Sequence, residues 1–332
     1  ILGTGFFKSN ISTMVGQLYQ PNDRRRDAAF TIFYMGINTG AAMGPLICGY
    51  LAQSPRFGWH WGFGAAGVGM VLGLITYLIL KPRFLPGIGD RPAHHVHAQA
   101  SQSHQPLTRE DWRGIIAVAI LAFFNIFFWV AFEQAGSSLN FFAEEHTRRE
   151  FLGLNFLAPY FQSVNPVAIL LLAPVFAWLW GRLAARGREP STPVKFACGL
   201  LLNCAGFAVM VLAARLSDTG VRISPLWLIA TYVLQTCGEL CLSPVGLSMV
   251  TKLAPARFAS LMMGTWFLAF FISDRVAGML AGQVEKIERG EVYHLLGGQA
   301  DFYLLFVAST LVAGVALLAL ARPIKRLMAG RA

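Results

Sequence analysis

The octet Phe33-Tyr34-Met35-Gly36-Ile37-Asn38-Thr39-Gly40 sits inside an apolar segment, residues 28–51, that is long enough to cross a bilayer. It sets a phenol, Tyr34, and an amide, Asn38, one helical turn apart, where a lipid-facing helix would carry neither. Polar groups at that depth cost free energy unless they face a partner or a wet cavity. Two carboxylates farther along, Glu133 and Glu239, meet the same difficulty. Lys8 and Asn165 also fall inside apolar segments. Polar groups retained at such sites imply that something polar is handled within the membrane.

The rest of the chain agrees with a membrane protein. Hydrophobic residues make up 55% of it and charged residues only 13%, about half the charged share of a soluble domain. Mean hydropathy is +0.53. Apolar stretches recur at 1–18, 28–51, 61–80, 114–142, 155–181, 195–214, 225–250, 258–282 and 301–321. They predict an all-α, polytopic protein with eight complete spans and one that begins already inside its apolar segment. The net charge of +10 does not point to nucleic acid, because of where the charges lie. With successive loops on alternate sides, 18 of the 27 Lys and Arg residues fall on one side and 7 on the other, with Lys8 and Arg275 inside spans. That positive-inside bias puts the C-terminus in the cytoplasm of a multi-pass inner (plasma) membrane protein.

The five cysteines all lie in spans and imply no disulfide framework. Residues 82–113 are the one long polar stretch, with Pro82, Pro86, Pro92 and Pro106 among His94, His95, His97 and His104. The segment reads as a cytoplasmic linker between two helix bundles; a solvated linker and a weak metal-binding tract both remain open for it. Within spans there is no metal cluster. Gly36, Gly40 and Gly44 recur every four residues, a pattern that lets helices approach closely.

Several polar groups are candidates for function. Lys8 would cost about 2.5–3.5 kcal/mol well inside a span, unless it snorkels from a span end. Trp129, Glu133 and Ser137 are spaced to share one helical face. A carboxylate balanced between desolvation and a nearby cation can carry a proton, although a static interhelical hydrogen bond is the rival reading for Glu133. Asn165 precedes Pro166, which predicts a kink in the middle of 155–181 that frees backbone carbonyls. Glu239 and Ser243 share a face and are followed by Pro244 and Gly246. Trp266 could wall a pocket or simply pack, and Asp274-Arg275 form an adjacent pair without an assigned role. Signatures of enzymes are absent: no His-Glu-x-x-His, no Gly-x-Ser-x-Gly and no P-loop. The chain has no room for a nucleotide-driven motor, which leaves a secondary transporter without an organic cofactor.

Four stretches, Gly3–Asn10, Phe33–Gly40, Phe132–Leu139 and Gly238–Pro255, together with Phe161–Pro166 and Met263–Phe267, resemble motifs of the proton-dependent oligopeptide transporter family of the major facilitator superfamily. The resemblance implies a fold of twelve core helices in two bundles, with this chain lacking the first three. Residues 1–81 would hold helices four to six of an incomplete N-terminal bundle, 114–321 a C-terminal six-helix bundle, and 322–332 a cytoplasmic tail. It implies symport of di- and tripeptides with protons by alternating access, the peptide lying between the bundles and the proton serving as coupling ion. Lys8 would hold the peptide carboxylate or pair with Glu239. Tyr34, Asn38 and Asn165 would bind the peptide backbone, and Glu239, with Ser243 near it, the α-amino group. Trp129, Trp266 and Phe267 would line side-chain pockets, and Glu133 would serve proton coupling and gating. Ser9 and Asp274-Arg275 depart from the family pattern, and the family's Glu-x-x-Glu-Arg motif belongs to its first helix. Transport of another solute such as nitrate, and a non-functional truncated product, are the alternatives; the sequence is silent on oligomeric state.

Overall fold

The computed structural model describes residues 25–88, 107–151, 153–254 and 258–328, together with Ile11, Met14, Val15 and Leu18. The chain divides into two compact units, Ile1–His104 and Gln105–Ala332. Almost every described residue of regular structure is helical. Six helical stretches among them, Trp59–Phe84, Arg109–Glu145, Ala158–Ala185, Thr192–Ser217, Leu226–Gly246 and Gln299–Met328, are long and apolar enough to cross a membrane.

The first unit contains α1 (Arg25–Gln53) and α2 (Trp59–Phe84). The turn between them closes on Gly58, whose amide donates to the Leu51 carbonyl at 3.0 Å. Gly58 has φ of 92°, a region that a residue without Cβ reaches freely. The two helices touch at Gly62, where a Cβ would stand 2.8 Å from the Cys48 carbonyl oxygen and 2.9 Å from the Ala52 side chain. A Cβ at Gly36, Gly40 or Gly44 would meet nothing within 4 Å among the described residues. Much of the apolar surface of α2, including Phe63, Met70 and Ile79, is exposed. A helix that is apolar all round needs a hydrocarbon solvent or a protein core.

The second unit holds α3 (Arg109–Phe132), α4 (Ser138–Glu145), α5 (Val164–Ala185), α6 (Thr192–Ser217), α7 (Leu226–Leu253), α8 (Ala259–Ala281), the short α9 (Val284–Glu288) and α10 (Gln299–Met328). A capping box starts α3. Thr108 Oγ1 accepts from the Asp111 amide at 3.1 Å while the Asp111 carboxylate accepts from the Thr108 amide at 2.8 Å, so two orphan donors are satisfied at once. The antiparallel pair α6–α7 packs backbone on backbone. A Cβ on Gly199 would come within 2.8 Å of the Gly238 carbonyl oxygen, and one on Gly238 within 2.7 Å of the Gly199 carbonyl oxygen. One more contact up the seam, Thr231 Oγ1 donates to the Gly206 carbonyl at 3.1 Å.

Two buried apolar clusters fill the unit. One contains Phe128, Phe196, Leu200, Met249, Trp266 and Leu317; the other Phe142, Phe161, Phe207, Tyr232, Phe302 and Phe306. Between helices in lipid the gain comes from dispersion and hydrogen bonding rather than from escape from water. Polar side chains left bare in such an interior cost about 1–3 kcal/mol each. Asn125, Asn203 and Gln235 are fully buried here.

The structure changes the sequence reading in three places. The predicted span 114–142 is not one helix: α3 ends at Phe132, a 3-10 turn covers Glu133–Gly136, and α4 follows from Ser138. The predicted span 155–181 opens with a 3-10 turn, Ala158–Ser163, before α5. Pro166 therefore lies in the first turn of α5 rather than kinking its middle. A proline there forfeits no helical hydrogen bond, and Pro174 is the one inside the helix. A two-residue hairpin, β1 (Glu150–Phe151) and β2 (Leu154–Asn155), turns at Gly153 with φ of 76°. Such short strands leave no periodic trace in a sequence.

The loop before α10 wraps around a single carboxylate. Asp301 accepts from the amides of Leu295 at 3.0 Å, Leu296 at 2.7 Å and Gly297 at 3.0 Å. At the other end α10 runs on to Met328 with Lys325 and Arg326 in its last turn, where cations oppose the negative end of the helix dipole.

Candidate functional site

The site in the second unit is built on α5 and α7. Asn165, in the first turn of α5, uses both amide hydrogens across to α7: Nδ2 donates to Glu239 Oε2 at 3.0 Å and to Thr236 Oγ1 at 2.9 Å. Thr236 in turn donates to the Tyr232 carbonyl at 2.7 Å, so its oxygen is free to accept. Pro166 follows Asn165 within the same first turn, where its missing amide hydrogen costs no helical bond. Glu239 is 8% exposed, and Glu133 lies close enough to act on it electrostatically. Ser243, one turn beyond Glu239, has a buried hydroxyl with no partner among the described residues. Pro244 follows it inside α7 and withholds the hydrogen that would have closed on the Leu240 carbonyl.

Glu133 occupies the break between α3 and α4. It opens the 3-10 turn, so the straight-helix reading that put Trp129, Glu133 and Ser137 on one face does not carry past Phe132. Ser137 instead has φ of −128° and ψ of −97°. Its hydroxyl goes to Gln134.

Gln134 lies in the stretch Phe132–Leu139, and the sequence alone assigns it no role. It is fully buried. Its Nε2 donates to the Val130 carbonyl at 3.2 Å and to the Ala277 carbonyl of α8 at 3.3 Å. Its Oε1 accepts from Ser137 at 3.4 Å and Ser138 at 2.9 Å. Two donors and two acceptor positions are all an amide has, and all are used. Gln134 thus ties the end of α3, the start of α4 and the face of α8 together beside Glu133. Tyr232 and Tyr303 add to the tie by donating to the Ala135 and Ser138 carbonyls, each at 3.3 Å. A signal was present in the run Glu133–Ser138, whose six polar or small residues cannot all face lipid.

The aromatic candidates separate. Trp129 meets Phe132 edge-on at 4.9 Å and Phe270 at a tilt at 4.8 Å, and Phe270 reaches Phe267 at 6.1 Å. Trp129 Nε1 is buried without an acceptor among the described residues, and Phe267 is exposed. Trp266 is corrected from wall to core: it is 2% exposed, set against Phe196 at 6.1 Å and filling the space over Gly246. Asp274 and Arg275 are both exposed on α8, while Ser273 beside them is buried and donates to the Ile126 and Ala269 carbonyls.

In the first unit Asn38 is buried and donates to the Tyr34 carbonyl at 2.9 Å. The bond caps the side chain onto its own helix and leaves the amide oxygen available. Lys8 lies outside the described residues.

A sequence model described as the POT family matches residues 1–86 and 91–296. The peptide transporter YePEPT of Yersinia enterocolitica is 36% identical over 99% of this chain and 74% of its own length. The di-/tripeptide transporter of Lactococcus lactis subsp. cremoris is 32% identical, again over 99% and 74%. Among solved structures, a peptide transporter POT in complex with sulfate superposes with a TM-score of 0.83 at 33% identity, covering 98% of this chain and 74% of that one. A POT family transporter in complex with a thioalcohol-conjugated peptide gives a TM-score of 0.84 at 28% identity, covering 97% and 74%.

Proposed function

From the premise that the chain belongs to the POT family, we propose that it carries di- and tripeptides together with protons across the cell's inner membrane by alternating access. The observation that carries the reading is the pair Asn165–Glu239. A carboxylate held 8% exposed in an apolar helix by one neutral donor has no partner cation among the described residues and suits the α-amino group of a peptide. Glu239 takes that group and Ser243 assists it. Asn165 presents its amide oxygen to the peptide backbone, and Tyr34 and Asn38 serve the same backbone from α1. Lys8 holds the peptide carboxylate or pairs with Glu239. A zwitterion needs one cation, one anion and amide partners, and the chain contains that set.

Glu133 serves proton coupling and gating. Its electrostatic link to Glu239 supports this, because two neighbouring carboxylates do not ionise independently. Trp129 and Phe267 line the side-chain space. The charge distribution, 18 basic residues against 7, supports a cytoplasmic C-terminus.

The test is uptake of labelled dialanine into proteoliposomes under an inward proton gradient, with nitrate as the competing solute. Glu239→Gln lowers dialanine uptake while the protein still elutes as a folded species in detergent. Unchanged uptake in that variant removes Glu239 from the site, and uptake of nitrate in place of dialanine overturns the substrate assignment.

A further inference from the structure

Apart from the Glu239 site, the second unit carries a set of buried amides with unused hydrogen-bonding atoms. Asn125 on α3, Asn203 on α6 and Gln235 on α7 are each 0% exposed. Among the described residues, Asn125 and Gln235 have neither amide atom partnered, and Asn203 lacks a partner for its Oδ1. Five polar atoms are thus unspent in the interior of one helix bundle.

The helix seam brings them together. On antiparallel α6 and α7, Gly206 meets Thr231 and Gly199 meets Gly238. Asn203 lies between the two glycines of α6, and Gln235 lies between Thr231 and Gly238 on α7, so both stand at one level of the seam. Gln235 Cγ is already 3.4 Å from where a Cβ on Gly206 would be. Asn203 Nδ2 donates to the Phe128 carbonyl on α3 at 3.0 Å. Asn125 is one turn before Phe128 on the same face, and the Phe128 ring touches the Gly199–Gly238 crossing.

We propose that Asn125, Asn203 and Gln235 form an enclosed site for bound water within the bundle, separate from the substrate residues. Water is the ligand that the chemistry selects. The five atoms include both donors and acceptors and carry no net charge, so neither an ion nor an apolar molecule would satisfy them. A buried water makes about three hydrogen bonds, so roughly two waters would match five atoms and the neighbouring carbonyls. The site lies on α7 one turn from Glu239, in the seam that α7 shares with α6. Water in that seam can exchange hydrogen-bond partners as the helices shift, which direct amide pairing cannot.

Pulsed X-ray radiolysis of the detergent-solubilised protein tests this, because hydroxyl radicals formed from bound water label the side chains beside it. Phe128 and Phe302 are equally enclosed, at 0% exposure, but only Phe128 adjoins the amides. Oxidation of Phe128 with none at Phe302 is expected, and it is lost in the variant Asn125→Leu/Asn203→Leu/Gln235→Leu. Equal silence at Phe128 and Phe302 in the unmodified protein overturns the proposal, as does labelling of Phe128 that survives in a folded triple variant. If the triple variant does not fold, the comparison of the two phenylalanines in the unmodified protein decides alone. The outcome is independent of which solute the protein carries.

Discussion

Replacing Gln134 by leucine removes an amide that spends all of its hydrogen-bonding capacity at the break between α3 and α4. Four contacts are lost, at 2.9, 3.2, 3.3 and 3.4 Å. The bond from Ser138 is the strong one and is worth about 1 kcal/mol net; the three longer ones contribute about 0.5 kcal/mol each. Ser138, itself buried, then keeps a hydroxyl without an acceptor, a further cost of about 1 kcal/mol. Leucine in a site with no exposure returns about 1–1.5 kcal/mol of dispersion contacts with its neighbours. The balance is a loss of about 2 kcal/mol, a fall in melting temperature of about 3–6 °C for a chain of this size. Tryptophan fluorescence followed on heating the detergent-solubilised protein, at one scan rate for all variants, reads it. The decisive comparison is the cycle with Ser138→Ala. Once Gln134 is gone, the Ser138 hydroxyl has lost its acceptor, so the second substitution removes a stranded group and returns about 1 kcal/mol instead of costing about 1 kcal/mol, a coupling of about 2 kcal/mol. Additive effects of the two substitutions, or a Gln134→Leu variant that melts with the parent, would refute the view that this amide ties the break together.

Further outcomes follow from the same geometry. Glu133→Gln reduces proton-driven dialanine uptake more than it reduces counterflow exchange of the peptide; equal loss in both assays points to a structural role. Gly238→Ala drives a methyl to 2.7 Å from the Gly199 carbonyl oxygen, and backbone cannot yield as a flexible side chain can, so the α6–α7 pair loosens and yield in detergent drops; a variant as stable as the parent disproves that close crossing. Asp301→Asn takes the charge from an oxygen pair that accepts three backbone amides, and trypsin then cuts faster at Arg289 in the adjacent loop; an unaltered cleavage rate shows that the loop is held by other contacts.

The helices were legible because bilayer-length apolar runs need no tertiary context to be recognised. α6 and α7 fall within a few residues of their predicted spans, 195–214 and 225–250. The breaks were illegible for the converse reason. Phe132 is followed by Glu133 and Gln134, which helical periodicity alone continues without interruption. Only the partners of Gln134 on α4 and α8 show why the chain turns there. Pro166 was read with the right residue and the wrong consequence, since its effect depends on where the helix begins, and Ala158–Ser163 takes up the preceding turn. Chemistry-bearing residue types could be picked out along the chain, but the joining of Asn165 to Glu239 could not. The two stand 74 positions apart in sequence, and nothing local pairs them.

The side-chain amides of this bundle divide by what they have left to offer. Gln134 has no unused donor or acceptor, so no ligand can gain from it. Asn165 gives both hydrogens to α7 but keeps an amide oxygen, and Glu239 takes a single hydrogen bond from it. Unused capacity beside a carboxylate is what a peptide's backbone and amino group can use. Two amide-to-leucine substitutions therefore separate the roles. Gln134→Leu lowers the melting temperature and leaves the dialanine KM near its parent value. Asn165→Leu removes a hydrogen bond to a carboxylate, worth about 1.5–3 kcal/mol where the group is charged, and with it the backbone contact. KM for dialanine then rises by about tenfold or more, with a melting temperature that moves less than in Gln134→Leu, because Asn165 sits half-exposed in a first helical turn. Measured side by side in proteoliposomes and in detergent, the reverse pattern would mean that spare hydrogen-bonding capacity does not distinguish a ligand-binding amide from a structural one.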